Sequence, residues 1–171
     1  MISKLLFALL SQMAFAEMTT VPYVDVNRYL GTWYQIARKP IFFENGCVCS
    51  RQVLSLQQDG TIGVYNSCRN ETVDGDLRDI RGFATVDNPG ENSRLTVDFG
   101  LPFKGRYWII GLDTVNYAYA VVSDPNENTL YILSKTPQLE SELYSAAVAA
   151  AALVTDTSRL ELTTQAGCSY P

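Results

Sequence analysis

The chain contains no histidine. That absence removes Ser-His-Asp and Cys-His catalysis in their usual forms, imidazole ligation of zinc and a histidine-ligated haem. Blocks of basic residues are also missing, and 13 Lys and Arg against 18 Asp and Glu leave a formal charge of −5. Such a surface does not suit a polyanion, so no nucleic-acid partner is expected. The four cysteines, Cys47, Cys49, Cys68 and Cys168, form no Cys-x-x-Cys knuckle, so neither a thiolate metal site nor any other cofactor is expected. No apolar run reaches the roughly 20 residues of a membrane-spanning helix.

The first sixteen residues read as a secretory signal: Lys4 gives a positive start, Leu5 to Phe15 an apolar stretch, and Ala14-Phe15-Ala16 a small-x-small site. Cleavage after Ala16 leaves 171 − 16 = 155 residues, 17–171, the size of one domain. No cysteine lies in or just after the signal, so no lipid anchor is expected, and the product is expected to be secreted or periplasmic. An even number of cysteines in an exported chain reads as two disulfides, for which three connectivities exist. By simple alternation Cys47 and Cys49 share one side of a strand, which leaves the swapped pairing open.

Strand-like runs bounded by turn residues recur at short intervals, as in an antiparallel barrel or sandwich. They are 31–38, 49–57, 61–68, 80–86, 94–99, 106–112, 117–123 and 130–134. Gln58-Asp59-Gly60, Asp87-Asn88-Pro89-Gly90 and Asp124-Pro125-Asn126 supply turns between them. Thr136-Pro137 reads as a helix start, with Thr as N-cap and Pro at the first position. Leu139, Leu143, Ala147, Ala150 and Val154 then mark an apolar face at helical spacing. The small residues of Ala146 to Ala152 suit a helix lying close against a sheet. Residues 160–165 read as a short ninth strand.

Four segments carry a family resemblance. They are Asn27-Arg28-Tyr29-Leu30-Gly31-Thr32-Trp33-Tyr34-Gln35-Ile36-Ala37-Arg38, Gly111-Leu112-Asp113-Thr114-Val115-Asn116-Tyr117, Leu130-Tyr131-Ile132-Leu133-Ser134-Lys135-Thr136-Pro137 and Asp156-Thr157-Ser158-Arg159-Leu160. Over roughly residues 21–165 the chain resembles a lipocalin of the bacterial outer-membrane lipocalin and apolipoprotein D branch. The resemblance implies an all-β fold: an eight-stranded antiparallel up-and-down barrel with a C-terminal α-helix and a short ninth strand. It also implies that Gly31 and Trp33 sit at the closed end, with the Arg159 guanidinium over the Trp33 ring. Asp113 and Tyr117 are implied as structural residues of a loop at that end, although Leu112 stands where the family motif has Thr. Apolipoprotein D-like relatives point to a Cys49–Cys168 bridge, and some bacterial relatives point to Cys47–Cys68.

A barrel of eight strands encloses about one small ligand. Candidate lining residues are Phe43, Asn66, Ile80, Phe83, Phe99, Phe103, Tyr107, Trp108, Tyr119 and Tyr131. Only alternate residues face inward, so some of these must point out. Tyr131 leads, because related bilin-binding members put an aromatic there in the pocket. Asn66 is a candidate to orient a polar head. Phe99-Gly100-Leu101-Pro102-Phe103-Lys104-Gly105 resembles a Gly-Pro-Phe segment of bacterial lipocalins and is a candidate apolar lip. Lys104 reads either as a partner for a lipid phosphate or carboxylate, or simply as a solvated lysine. Asn70-Glu71-Thr72 fits the N-glycosylation sequon.

The resemblance implies binding rather than chemistry: carriage of a small hydrophobic ligand, foremost a fatty acid or lysophospholipid. Transient membrane contact and homodimerisation are further expectations. A pigment such as a bilin or carotenoid is an alternative ligand. An enzyme on the same barrel is a second function, for which a free cavity thiol is the discriminating feature. A third is an interaction protein, with Ile41-Phe42-Phe43 as the patch.

Overall fold

The computed structural model describes residues 18–171; the expected signal segment and its cleavage site after Ala16 lie outside them. A short helix α1 (Val26–Tyr29) is capped by Asp25, whose carboxylate accepts from the amides of Asn27 and Arg28. Eight strands follow: β1 (Gly31–Arg38), β2 (Cys47–Leu56), β3 (Ile62–Asn70), β4 (Leu77–Val86), β5 (Arg94–Asp98), β6 (Gly105–Leu112), β7 (Tyr119–Ser123) and β8 (Leu130–Ser134). Each pairs antiparallel with the next, and β1 closes the barrel by pairing with both β8 and β2. Helix α2 (Ser141–Ala152) and β9 (Glu161–Leu162), which pairs with β1, complete the expected order.

The meander places every second loop at the same end. The turn after β1 shares the open end with the loops after β3, β5 and β7; the loops after β2, β4 and β6 share the closed end with α1. Side chains alternate between lumen and exterior along each strand. Trp33, Leu54, Val64, Leu95, Val97 and Ile109 face in and pack the closed half. Near α1 they leave a cavity of only about 10 Å³, roughly the room of one water.

Outside the barrel, Ala147 and Ala151 of α2 lie against Trp108, Ile110, Val121 and Ile132. A Cβ on Gly111 would stand 3.0 Å from Val121 Cγ2 and 3.1 Å from Ala150 Cβ. Small residues on both partners therefore allow the close approach. Several strand ends shift by two or three residues from the sequence expectation, and the C-terminal segment differs more. Helix α2 begins at Ser141, not after Thr136, because the Thr136 hydroxyl donates to the Gln138 carbonyl and the Thr136 amide to the Ser134 hydroxyl. Those local bonds hold a non-helical bend. Strand β9 is two residues long, and beyond it the Gln165 side chain takes over. Its amide donates to the carbonyls of Gln35 and Ser50, bridging the gap where β1 and β2 part.

The cysteines pair as Cys47–Cys68 and Cys49–Cys168. Register shifts in β2 between Val48 and Arg51, and Cys49 adopts a φ of 56°. This bulge removes the simple alternation that would have put Cys47 and Cys49 on one side. Cys47 meets the neighbouring strand, and Cys49 meets the C-terminal segment.

Candidate functional site

The closed end is held by polar contacts that the sequence assigned to another residue. Trp33 Nε1 donates to the Tyr29 carbonyl at 2.7 Å. The cation over its ring is Lys135, with Nζ 4.2 Å from the centroid, and the same ammonium donates to the carbonyls of Leu30 (2.6 Å) and Tyr29 (3.3 Å). The expected Arg159–Trp33 contact is corrected by this arrangement: Arg159 is exposed and lies just before β9, which pairs with the far, open-end half of β1. Burial lowers the Lys135 pKa to about 8, while the two carbonyls and the ring face favour its charged form. Asp113 caps its loop by accepting from the amides of Val115, Asn116 and Ala118. The Tyr117 hydroxyl accepts from the Asp25 amide, and Arg28 lies over the Tyr117 ring at 4.1 Å.

Polar side chains enter the lumen at more than one level. Midway, the hydroxyls of Tyr29 and Tyr107 are 2.9 Å apart, and Tyr107 donates to Gln52 Oε1 at 3.1 Å. Burial raises the pKa of both phenols, so they stay neutral. At the open end, the 3-10 turn Phe42–Glu44 folds back so that Glu44 enters the lumen. Glu44 Oε2 lies 3.2 Å from Arg38 Nε, with the two side chains 20% and 11% exposed. That oxygen has no aligned hydrogen bond, while Arg38 Nη2 donates to the Glu44 carbonyl at 3.1 Å. Gln35 and Tyr131 also face the carboxylate. Burial raises the Glu44 pKa, opposed by Gln35, Arg38, Tyr131 and Arg78. Burial, and then the Glu44 carboxylate, push the Tyr131 hydroxyl far up, leaving it a neutral donor. Arg78 ties the turn down by donating to the carbonyls of Asn45 (2.8 Å) and Phe43 (2.9 Å).

Five of the candidate lining residues face the lumen. Tyr131, Tyr107 and Phe99 pack against the inner core, and Asn66 stands opposite Ile80 on the inner faces of β3 and β4. The Asn66 Oδ1 atom is buried without a hydrogen-bond partner. Ile80 is 37% exposed, where β3 and β4 rise past the end of β5.

The others do not join them. Phe83 pairs with Asp98 and Gly63 on the outer face and is 57% exposed beside a shallow groove of about 560 Å³. Tyr119 and Trp108 lie outside, on the side covered by α2, and Arg94 sits over the Trp108 ring at 4.5 Å. Phe43 and Phe103 are exposed at the open end, and Phe42 and Phe43 stack edge to face. Lys104 pairs with Asp98 at 3.1 Å. The sequence did not suggest Arg38, Glu44, Gln35 or Gln52. Alternation from Trp33 sends residue 38 outward, and only the register shift between Gln35 and Ala37 turns Arg38 in, opposite Tyr131.

A lipocalin-like domain model matches residues 24–165. The chain belongs to the lipocalin family. Among curated lipocalins it is 38% identical to the outer membrane lipoprotein Blc of Vibrio cholerae over 116 residues, covering 68% of this chain and 67% of the relative. It is 34% identical to apolipoprotein D of Bos taurus, covering 69% and 64%. Among solved lipocalin folds, insecticyanin of the tobacco hornworm superposes with a TM-score of 0.70 at 20% identity, covering 91% of this chain and 89% of that one. The amine-binding protein of Rhodnius prolixus, in its tryptamine complex, gives 0.64 at 22%, covering 91% of each. These two likenesses concern the fold alone. Lipocalins in general bind small hydrophobic ligands and are not enzymes. In this lipocalin both disulfides together use all four cysteines, so the lumen offers no free thiol for nucleophilic chemistry.

Proposed function

We propose that this lipocalin carries a single-chain amphipathic lipid, a fatty acid or lysophospholipid, as a secreted or periplasmic protein. The observation that supports this is the division of the lumen. Its open end holds an inward-facing polar cluster of Arg38, Glu44, Gln35 and Tyr131. Beside it the inner wall carries the apolar Phe99, Val122 and Leu133, and apart from the Tyr29–Tyr107–Gln52 group midway the lumen is apolar down to the packed base. A ligand with one polar head and one hydrocarbon tail matches that division. Its tail gains about 25 cal/mol for each Å² removed from water, and a few placed polar groups set its orientation. Asn66 Oδ1 adds a buried acceptor with no protein donor, suited to a hydroxyl of the head region.

Native mass spectrometry of the mature protein, after incubation with a mixed lipid extract, tests the reading. A discrete added mass of one acyl lipid is expected. Uptake of pigment alone from a pigment-containing extract, or no uptake by a folded barrel, refutes it.

A further inference from the structure

We infer that Glu44 is a built-in stand-in for an anionic ligand head: its carboxylate occupies Arg38 until the head of the ligand replaces it. The inference rests on the carrier reading and adds both ligand charge and a means of control. Four observations carry it. Arg38 ends a strand at the open end, yet a register shift turns it inward rather than to solvent. Its partner comes from the connecting turn, not from the barrel wall, so the partner is able to leave without disturbing a strand. The contact is an ion pair with no aligned hydrogen bond at Glu44 Oε2, which makes it weaker than a two-pronged guanidinium–carboxylate pair. Gln35 and Tyr131 face the same carboxylate, and both side chains carry hydrogen-bond donors. A carboxylate, phosphate or sulfonate head reaching this point finds the charge and donors now given to Glu44.

Displacement has a protonic consequence. The charged or titratable groups facing Glu44 are Arg38 from β1, Arg78 from β4 and Tyr131 from β8, with Asp124 beyond Tyr131. Guanidinium groups do not deprotonate in proteins and the raised Tyr131 hydroxyl stays neutral, so Glu44 is the titrating group in direct contact with Arg38. Burial already raises its pKa. An anion placed on Arg38 withdraws the opposing charge and raises it further, so anion binding takes up a proton. Affinity for a permanent anion therefore rises as pH falls through the interval between the free and bound pKa values of Glu44.

The experiment uses the mature protein and two probes of equal chain length, dodecanesulfonate and dodecanol, titrated below their aggregation limits from about pH 7.5 to about pH 4.5, a range that spans a raised carboxyl pKa. For the wild type, dodecanesulfonate binding is expected to tighten about tenfold across the range, as one unit of coupled pKa shift requires, while dodecanol binding stays flat. Glu44→Gln is expected to bind dodecanesulfonate with the tighter affinity at every pH. Arg38→Gln is expected to lose the preference for sulfonate over alcohol; if it fails to fold, the near-isosteric Glu44→Gln carries the test alone. Binding of both probes with an unchanged sulfonate affinity in Glu44→Gln, or with the pH dependence retained in it, overturns the inference and leaves the carrier reading intact. Binding of neither probe by wild type or variant overturns both.

Discussion

Replacing Lys135 with methionine tests which cation closes the base of the barrel. The ammonium touches the Trp33 ring and two carbonyls at the end of α1. Hydrogen bonds involving a charged group contribute about 1.5–3 kcal/mol, and a cation–π contact about 0.5–2 kcal/mol. Methionine keeps most of the apolar stem over the ring, and the Tyr29 carbonyl retains Trp33 Nε1 as a donor. The lost contribution is then the Leu30 bond and part of the ring contact, about 2–3 kcal/mol. With a urea m-value of about 2 kcal/mol/M, the unfolding midpoint should fall by about 1 M. Arg159→Met, at an exposed position, should change stability by less than about 0.5 kcal/mol. Lys135→Arg should preserve the contact. The sign of the pH effect follows from the folded-state pKa of about 8, below the ordinary lysine value. The folded chain then binds fewer protons than the unfolded chain between those values. Stability from this residue should therefore increase as pH rises through that window, and Lys135→Arg should abolish the increase. Urea midpoints that match wild type in Lys135→Met but fall in Arg159→Met would refute the reasoning.

Trp33→Ala should cost about 3–5 kcal/mol in chemical unfolding, because Trp33 is fully buried in the lumen base. Tyr131→Ala, nearer the open end, should mainly weaken lipid binding, and unchanged affinity would remove Tyr131 from the site. Gly111→Val should lower the thermal midpoint by forcing α2 off the barrel, since a Cβ alone already crowds Val121 and Ala150; a wild-type midpoint would show that the helix yields freely. In loop-closure reasoning the Cys49–Cys168 bridge, with a separation of 119, contributes about 5 kcal/mol, and Cys47–Cys68, with a separation of 21, about 3 kcal/mol. Urea unfolding of the two double-serine variants should preserve that order.

Strand order was readable because turns such as Gln58-Asp59-Gly60 punctuate runs of period two, and Gly60 does take a φ of 85°. The facing of individual aromatics was readable only in part. Phe83 stands in a row with Arg81 and Thr85, and that polar company marks an outer face. Tyr119 had no such marker. Its row carries Val121, apolar because α2 covers the outer wall there, so both faces of the strand look alike. The lumen's charged pair was hidden for a different reason. Arg38 faces in because of one irregular residue in β1, and Glu44 joins it because a turn folds back under the hold of Arg78. Neither event leaves a period in the sequence. The Lys135–Trp33 contact likewise depends on where β8 ends relative to β1, a matter of register.

The Arg38–Glu44 pair is a poor device for stability, and that bears on why it is there. Both side chains are largely withdrawn from water, and desolvation of two charges commonly cancels their attraction; exchange of such a pair for apolar residues of similar volume is often neutral or stabilising by about 1–4 kcal/mol. The double variant Arg38→Met, Glu44→Leu should therefore unfold at a urea concentration no lower than wild type. Each single change removes one charge and leaves the other buried, so Arg38→Met should be the less stable by several kcal/mol, on the order of 3–5 for a fully buried pair and less here because both groups keep some exposure. If the pair serves binding, the double variant should be stable yet lose its preference for dodecanesulfonate over dodecanol. A double variant that unfolds far below wild type would make the pair structural, and would move the polar demand of the lumen to Asn66 and the Tyr29–Tyr107–Gln52 network.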